Sequence, residues 1–345
     1  MIYHDKILDD IVKDFFDSEV IKKNDNVIIA LSGGMDSICL FDIFYKLRDE
    51  FKYNLYAVHI HHGIRGLEAN RDMEFVKRYC KAMNVKLLIR KVDAINYSTA
   101  KHMSLEEAAR VLRYKEFDKI YREFAKRDKA HILVAQHLND QVETITHNML
   151  RGSGLKGLIG MKKVNGYILR PLLYVAKEEI IDYIKTYSLS YVNDSTNDDI
   201  KYTRNYIRQK IIPSFISVND KACEHIAELS KEVSEIVEYI DALSKFSYDY
   251  VLKSKSSYKI VLDLDKFNAL SNLVKSHIVL LIFKDLVNTK KDIGRVHIDD
   301  VITASLKKSG VHLDLPYNIT YDKKGKEMIF IKNSENISMS RRKKI

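Results

Sequence analysis

The sequence predicts an α/β fold: a parallel sheet with helices on both faces, followed by a smaller, mainly helical domain. Three observations predict it. Strand-like and helix-like stretches alternate through the first half, the pattern of successive β–α–β units. The apolar run Val27-Ile28-Ile29-Ala30-Leu31 ends in a glycine turn that opens directly into a helical pattern. Glycine then nearly disappears: nine of the 12 lie between Gly33 and Gly166, and from Ser214 to Ile293 there is neither Gly nor Pro.

The elements follow in order. A helix is expected over 7–22, then a β-branched strand over 26–31. Ile38, Leu40, Phe41 and Phe44 share one side of a helix over 36–48. Strands over 55–60, 85–92 and 131–136 alternate with helices over 68–83, 104–126 and 139–150. The 104–126 helix starts at Ser104 with Glu107 three residues on, the capping-box spacing. Residues 1–213 form the expected α/β domain, and 214–332 the helical domain. In the latter Ile226, Leu229, Val233, Ile236, Ile240 and Leu243 recur at steps of three and four, a stripe for packing on another helix. A second helical run is expected over 270–287. Short strands follow over 311–316, 318–321 and 327–332, with a turn at Lys324-Gly325. The 333–345 tail, with Arg341 to Lys344, is expected to be disordered.

Composition narrows the function. The chain has 345 residues, 46% hydrophobic and 30% charged, as in an ordinary soluble protein. A net charge of +10 favours a polyanionic partner. The N-terminus is charged and lacks a signal peptide's apolar core, and no apolar run approaches membrane-spanning length. Cys39, Cys80 and Cys223 are odd in number and far apart, without a C-x-x-C pair. That points to a reducing, cytoplasmic setting, with no zinc knuckle and no iron–sulfur cluster of the usual spacing.

Chemistry concentrates in a few segments. Ser32-Gly33-Gly34-Met35-Asp36-Ser37 places backbone N–H groups and two hydroxyls at a helix N-terminus, where anions bind. Asp36 would repel phosphate unless a divalent cation bridges the two. An ordinary N-cap is the plain alternative. A second segment, His59-Ile60-His61-His62-Gly63-Ile64-Arg65, ends a strand beside the first. No nearby cysteine or carboxylate completes a metal site there, so its place at the sheet's carboxyl edge matters more. A third, Gln136-His137-Leu138-Asn139-Asp140-Gln141-Val142-Glu143, sets Asp140 and Glu143 on one helix face. Such a pair suits Mg²⁺, amine recognition or proton removal, or else helix capping. Gly152-x-Gly154-x-x-Gly157 has dinucleotide-binding spacing, but a helix precedes it where that motif needs a strand. It reads instead as a flexible basic loop carrying Arg151 and Lys156. Arg110 with Arg113, and Arg204 with Arg208, each share a helix face, the latter beside Tyr202 and Tyr206. Both suit phosphate contact and base stacking, or a solvated face.

Taken together the segments resemble the PP-loop ATP pyrophosphatases (adenine nucleotide alpha-hydrolase-like), and within them the tRNA(Ile)-lysidine synthases. The matches run in order: Ser32 to Ser37, His59 to Arg65, Glu107 to Tyr114, His137 to Thr144, Arg151 to Met161, Arg170 to Leu173 and Asp194 to Pro213. The resemblance implies a ligase that adenylates O2 of the wobble cytidine of a CAU anticodon with ATP. L-lysine then displaces AMP at C2. ATP and Mg²⁺ are the implied co-substrate and metal, and tRNA(Ile) the partner; a homodimer is one open expectation. It implies ATP contacts from Ser32, Gly33, Gly34, Met35, Asp36, Ser37 and His61, with Asp36 as metal ligand. Catalytic roles fall to Asp36, Arg113, Asp140 and Glu143, and tRNA contacts to Arg151, Lys156, Arg204 and Arg208. Two departures stand out. Gln136-His137 replaces the family's frequent His-His, and the further C-terminal domain of longer members looks absent or vestigial.

Three competing readings are weighed. A PP-loop tRNA thiolase would call for paired cysteines. An ammonia-using amide synthetase does not explain the basic charge. An RNA-binding protein with an inactive nucleotide site does not explain the intact Ser32, Asp36 and Ser37.

Overall fold

The structure, a computed structural model, describes residues 2–64, 66–126, 129–192, 203–289, 293–308 and 310–333. Arg65, the 194–202 part of the Asp194–Pro213 motif, Tyr202 and the basic tail lie outside them. The chain divides into two compact units, Met1–Val233 and Ser234–Ile345.

The first unit is built on a six-stranded sheet in the order β3-β2-β1-β4-β6-β5. Its strands are β1 (Asn26–Ala30), β2 (Asn54–His61), β3 (Lys86–Lys91), β4 (Ala130–Leu133), β6 (Ile168–Leu169) and β5 (Val164–Asn165). All pairings are parallel except that of β5 with β6. In β1, Val27 and Ile29 face one buried cluster and Ile28 the other. A strand covered on both faces reads as a continuous apolar run, hence the unbroken Val-Ile-Ile. One cover comprises α1 (Ile2–Ile11), α2 (Met35–Phe51), α3 (Leu67–Ala82) and α8 (Lys177–Thr186); the other is α5 (Leu105–Phe124).

The chain runs from β1 outward to β2 and β3, then returns to the other side of β1 with β4. That reversal makes a switch point at the carboxyl ends of β1 and β4, where open α/β sheets bind ligands. The helix expected over 7–22 is instead α1 followed by a π-helical turn, Val12–Asp17. Ser104 caps α5 as expected, accepting from the Glu107 amide at 3.2 Å. The sequence reading missed α4 (Ala94–Lys101) and the short β5 and β6, which are brief, and also α8, although its Ile180, Tyr183 and Ile184 have helical spacing and are buried.

After α6 (Leu138–Leu150) the glycine segment forms a short helix, α7 (Gly154–Leu158). It is pinned rather than the flexible loop expected. The buried Gln141 amide donates to the carbonyls of Ile159 and Met161, each at 3.1 Å, and its Oε1 accepts from the Met161 amide at 2.7 Å. Gly160 has φ +62°, and a Cβ there would lie 2.6 Å from Gln141 Oε1. Helical segments Thr203–Tyr206 (α9), Ile207–Ile211 (π-helical) and Ile212–Val218 (α10) then pack on α6 through Ile207 and Ile212.

The second unit is less purely helical than the expectation for 214–332. It holds a five-stranded antiparallel sheet, β7-β8-β11-β10-β9. Strands β9 (His312–Leu315), β10 (Ile319–Lys324) and β11 (Glu327–Lys332) fall where the sequence put them. Two more, β7 (Leu252–Lys255) and β8 (Lys259–Asp263), lie in the stretch without Gly or Pro. The sheet packs on α12 (Leu264–Asn268), α13 (Asn272–Val287) and α14 (Arg295–Leu306) around Phe267, Phe283, Tyr321 and Phe330.

The long helix α11 (Ala222–Val251) corrects the predicted stripe. Val233 and Ile240 are buried, but Leu229, Ile236 and Leu243 are exposed. The inward face runs through Val237 and through Ala227, Ser230, Ser244 and Ser247, small residues to which a hydrophobic pattern gives little weight.

Candidate active site

A cleft of about 450 Å³ opens over the carboxyl ends of β1, β2 and β4. Its floor is the loop between β1 and α2. Gly33 has φ +97°, a conformation strained for any residue with a Cβ, and its carbonyl accepts from the Val192 amide at 2.9 Å. Ser32 and Ser37 lie with their hydroxyls 3.1 Å apart. The Gly33 amide points at Ser37 Oγ (3.2 Å) and the Gly34 amide at Ser32 Oγ (3.3 Å). Both hydroxyls and both amides therefore converge at the N-terminus of α2, hydrogen-bonded to one another, with Ser37 Oγ also donating to the Gly34 carbonyl at 2.8 Å; a helix N-terminus of this kind suits an anion that would take over those donors. Met35 and Asp36 open that helix.

Asp36 is the loop's only carboxylate. Lys177, the first residue of α8, forms an ion pair with its Oδ1. His137 Nε2 lies 3.8 Å from its Oδ2 and 3.6 Å from Asp140 Oδ2. His137 caps α6: its Nδ1 accepts from the Asn139 amide at 3.3 Å, so in the neutral ring Nε2 carries the proton, toward the two carboxylates. The Asp140 carboxylate in turn accepts from the His137 amide at 3.0 Å.

Asp140 and Glu143 share a face of α6, as their spacing requires. Arg208 spans them, donating through Nη2 to Glu143 Oε2 (3.0 Å) and Asp140 Oδ1 (3.2 Å) and through Nε to Glu143 Oε1. Glu143 is buried, and burial raises its pKa above the ordinary carboxylate value despite the opposing Arg208 hydrogen bond. Arg204, one turn earlier, lines the cleft and lies 3.5 Å from Glu106. Of the arginines expected on RNA, Arg204 thus meets Glu106 and Arg208 meets the acid pair.

The far wall comes from β2 and α5. His59 is buried and donates from Nδ1 to the Leu31 carbonyl at 2.9 Å, leaving Nε2 as an acceptor. Burial lowers its pKa, so the ring is neutral. His61 lies on Asn70 (3.2 Å), and Arg113 stands 3.5 Å from His62. Arg110 stacks over Tyr114 at 5.1 Å. All of these side chains except Asn70 line the cleft. Arg151 and Lys156 are exposed and are not among its lining residues.

Four contributors were not assigned roles from sequence. Gln136 lines the cleft and accepts from Arg170 Nε at 2.6 Å; a side-chain carbonyl serves an arginine there where the family often has an imidazole. Arg170 is itself buried, reaching Tyr114 OH (3.3 Å) and the Lys162 carbonyl (2.9 Å). His137 and Lys177 complete the set. The signal for Lys177 was present: a lysine at the first position of a helix opposes the helix dipole.

Comparison with known proteins agrees with this architecture. Residues 5–215 match the PP-loop domain family. The tRNA(Ile)-lysidine synthase of Clostridium acetobutylicum is 31% identical over 332 residues, 95% of this chain and 71% of that protein. That of Clostridioides difficile is 32% identical over 334 residues, 96% of this chain and 71% of that protein. Among solved structures, a U34-tRNA thiolase of Methanococcus maripaludis with a [4Fe-4S] cluster superposes with a TM-score of 0.58 at 16% identity, over 68% of this chain and 80% of that one. The last is a likeness of fold alone. A glycine–hydroxyl loop at the switch point, an acid pair on the facing helix and relatives matched along almost the whole chain lead to one assignment: the chain belongs to the PP-loop domain family and, within it, to the tRNA(Ile)-lysidine synthases, ligases that form a carbon–nitrogen bond.

Proposed function

We propose that the chain joins L-lysine to C2 of the wobble cytidine in a tRNA(Ile) with a CAU anticodon, converting ATP to AMP and pyrophosphate. The observation that carries this reading is the cleft lined by Ser32, Gly34, Asp36 and Ser37 of the loop and by Asp140, which Arg208 joins to the buried Glu143. C2 of cytosine is urea-like and a poor electrophile. Its oxygen therefore attacks the α-phosphorus of ATP, expelling pyrophosphate. The lysine ε-amine then adds to C2, and AMP departs with the oxygen.

The loop amides, Ser32 and Ser37 hold phosphate oxygens, with His61 and Arg113 at the opposite wall. Asp36 would hold Mg²⁺. Among the described residues no cluster of three His, Cys, Asp or Glu side chains forms a metal cage. One carboxylate beside a phosphate cradle is the donor set Mg²⁺ uses, with substrate phosphates and water supplying the rest. When bound, the cation supplies neutralising charge at the phosphates.

The amine must lose its proton. With a reference pKa of ~10.4, about one lysine side chain in 2,500 is neutral at pH 7. Asp140 and Glu143 bind the ammonium and Glu143, its pKa raised, takes the proton. Arg208 holds the pair until the ammonium replaces it, and its guanidinium then turns to RNA phosphate. Arg204, Arg151 and Lys156 contribute further backbone contacts. The setting is the cytoplasm; no helix among the described residues is long and apolar enough to cross a membrane.

A sulfur-transfer reading has no support from the cysteines. Cys39, Cys80 and Cys223 are all buried, and burial raises each thiol's pKa, that of Cys80 to about 12. The test is incubation with ATP, radiolabelled lysine and bulk bacterial tRNA. Label should enter tRNA with one AMP released per lysine, and Asp36→Ala should abolish AMP release without loss of fold. Pyrophosphate release that ignores RNA, or AMP release in repeated turnover without lysine, would overturn the assignment.

A further inference from the structure

Lys177 has no role in the reaction as set out above, yet among the described residues it is the closest cation to Asp36. Its position is held firmly. Tyr183 of α8 donates to Asp42 of α2 at 2.7 Å, and Lys46 pairs with the same Asp42 at 2.7 Å. The turn before α8 is tied to the start of α6, where the Leu138 amide donates to the Val175 carbonyl at 3.0 Å. The N-termini of α2, α6 and α8 therefore converge on Asp36, each with roughly half a positive charge. The other ionised side chains in these first turns follow the dipole: Asp36, Asp140, Glu178 and Glu179. Lys177 alone opposes it, adding positive charge where three helix ends already supply it.

We propose that Lys177 is a phosphate-binding residue that exchanges between Asp36 and a β- or γ-phosphate oxygen of ATP. This rests on the reading of the cleft as an ATP site. When ATP enters, Lys177 gives up the carboxylate, leaving Asp36 free as the residue that would hold Mg²⁺, and takes a phosphate oxygen at the convergence of the three helices. Lys177 then stabilises the leaving pyrophosphate, while the adenosine and α-phosphate are held by other groups.

The exchange makes the ATP and AMP affinities diverge. Equilibrium binding of ATP and of AMP to the full chain, without RNA, would be measured for wild type, Lys177→Met and Lys177→Arg, in Mg²⁺ and in EDTA. The Met variant keeps the aliphatic stem and removes the charge. It should bind ATP about tenfold or more weakly under both conditions, and AMP within about twofold of wild type. The Arg variant should recover most of the ATP affinity. Thermal unfolding and far-UV circular dichroism of each variant report the fold independently. A Met variant with a lowered melting temperature but wild-type ATP affinity would make Lys177 a strut between α8 and the loop, and the proposal would fall alone. A wild-type chain that binds no ATP would remove the reading of the cleft itself.

Discussion

Glu143 is the side chain whose chemistry depends most on its surroundings. In water a glutamate ionises near 4.3. Here burial raises that value, and the Arg208 hydrogen bond only partly offsets it. A base must be ionised to accept the lysine proton, so the lysine-dependent rate should fall as pH drops through this raised value. The acid limb of kcat/KM for lysine should therefore lie above the ordinary glutamate range. Glu143→Gln should remove the limb and lower the lysine-dependent rate about tenfold or more, with tRNA binding little changed. A limb that persists in the variant would leave Glu143 as the anchor of Arg208. The pairing of Asp140 with Glu143 was legible from their spacing. Arg208 as their partner was not, because 65 residues separate Arg208 from Glu143.

Elements position these groups through interactions that can be broken singly. Gly160 leaves room for Gln141, which ties α6 to the segment after α7. A methyl group there meets Gln141 and also strains a positive φ. Gly160→Ala should destabilise the chain by about 1–3 kcal/mol, read as a shift of the urea midpoint. An unchanged midpoint would show that the segment yields without cost. Strands β2 and β4 carry a second dependence. Burial lowers the pKa of His59 and of His131, opposed by the Leu31 carbonyl and by Asp25 respectively. The unfolded chain then binds more protons than the folded one below the ordinary histidine value of ~6.5. This stability is present above that value and is lost as pH falls toward the lowered pKa values. The urea midpoint should drop between about pH 7.5 and pH 5.5, and His59→Asn should flatten the drop. An equally steep drop in that variant would assign it to other groups.

For the molecule as a whole, the net charge of +10 sets the terms of RNA binding. Arg204 and Arg208 lie on carboxylates, so replacing them disturbs the site as well as any RNA contact. Arg151 and Lys156 are exposed at the end of α6 and in α7 and give the cleaner test. The double change to Ala should weaken tRNA binding while sparing ATP binding. It should also reduce the log–log salt slope by about 0.7–0.9 for each RNA phosphate that these two side chains neutralise. A wild-type slope would move the RNA surface elsewhere on the chain.

The sequence by itself determined whatever depends on neighbours along the chain. The apolar run of β1, the glycine loop with its hydroxyls, the Ser104 cap and the Asp140–Glu143 spacing are local, and local sterics and periodicity write them into residue order. The same holds for the class of sheet, since alternating strand and helix patterns admit few topologies. Tertiary structure alone decided which charges meet. Lys177 on Asp36, Arg208 across the acid pair and Gln136 under Arg170 join residues 34 to 141 positions apart. It also decided which face of α11 is buried, because small Ser and Ala residues pack inward where the hydrophobic pattern gives them little weight. Pairing across such distances depends on where the sheet's edge gathers its loops, and no periodicity within a helix or strand encodes it.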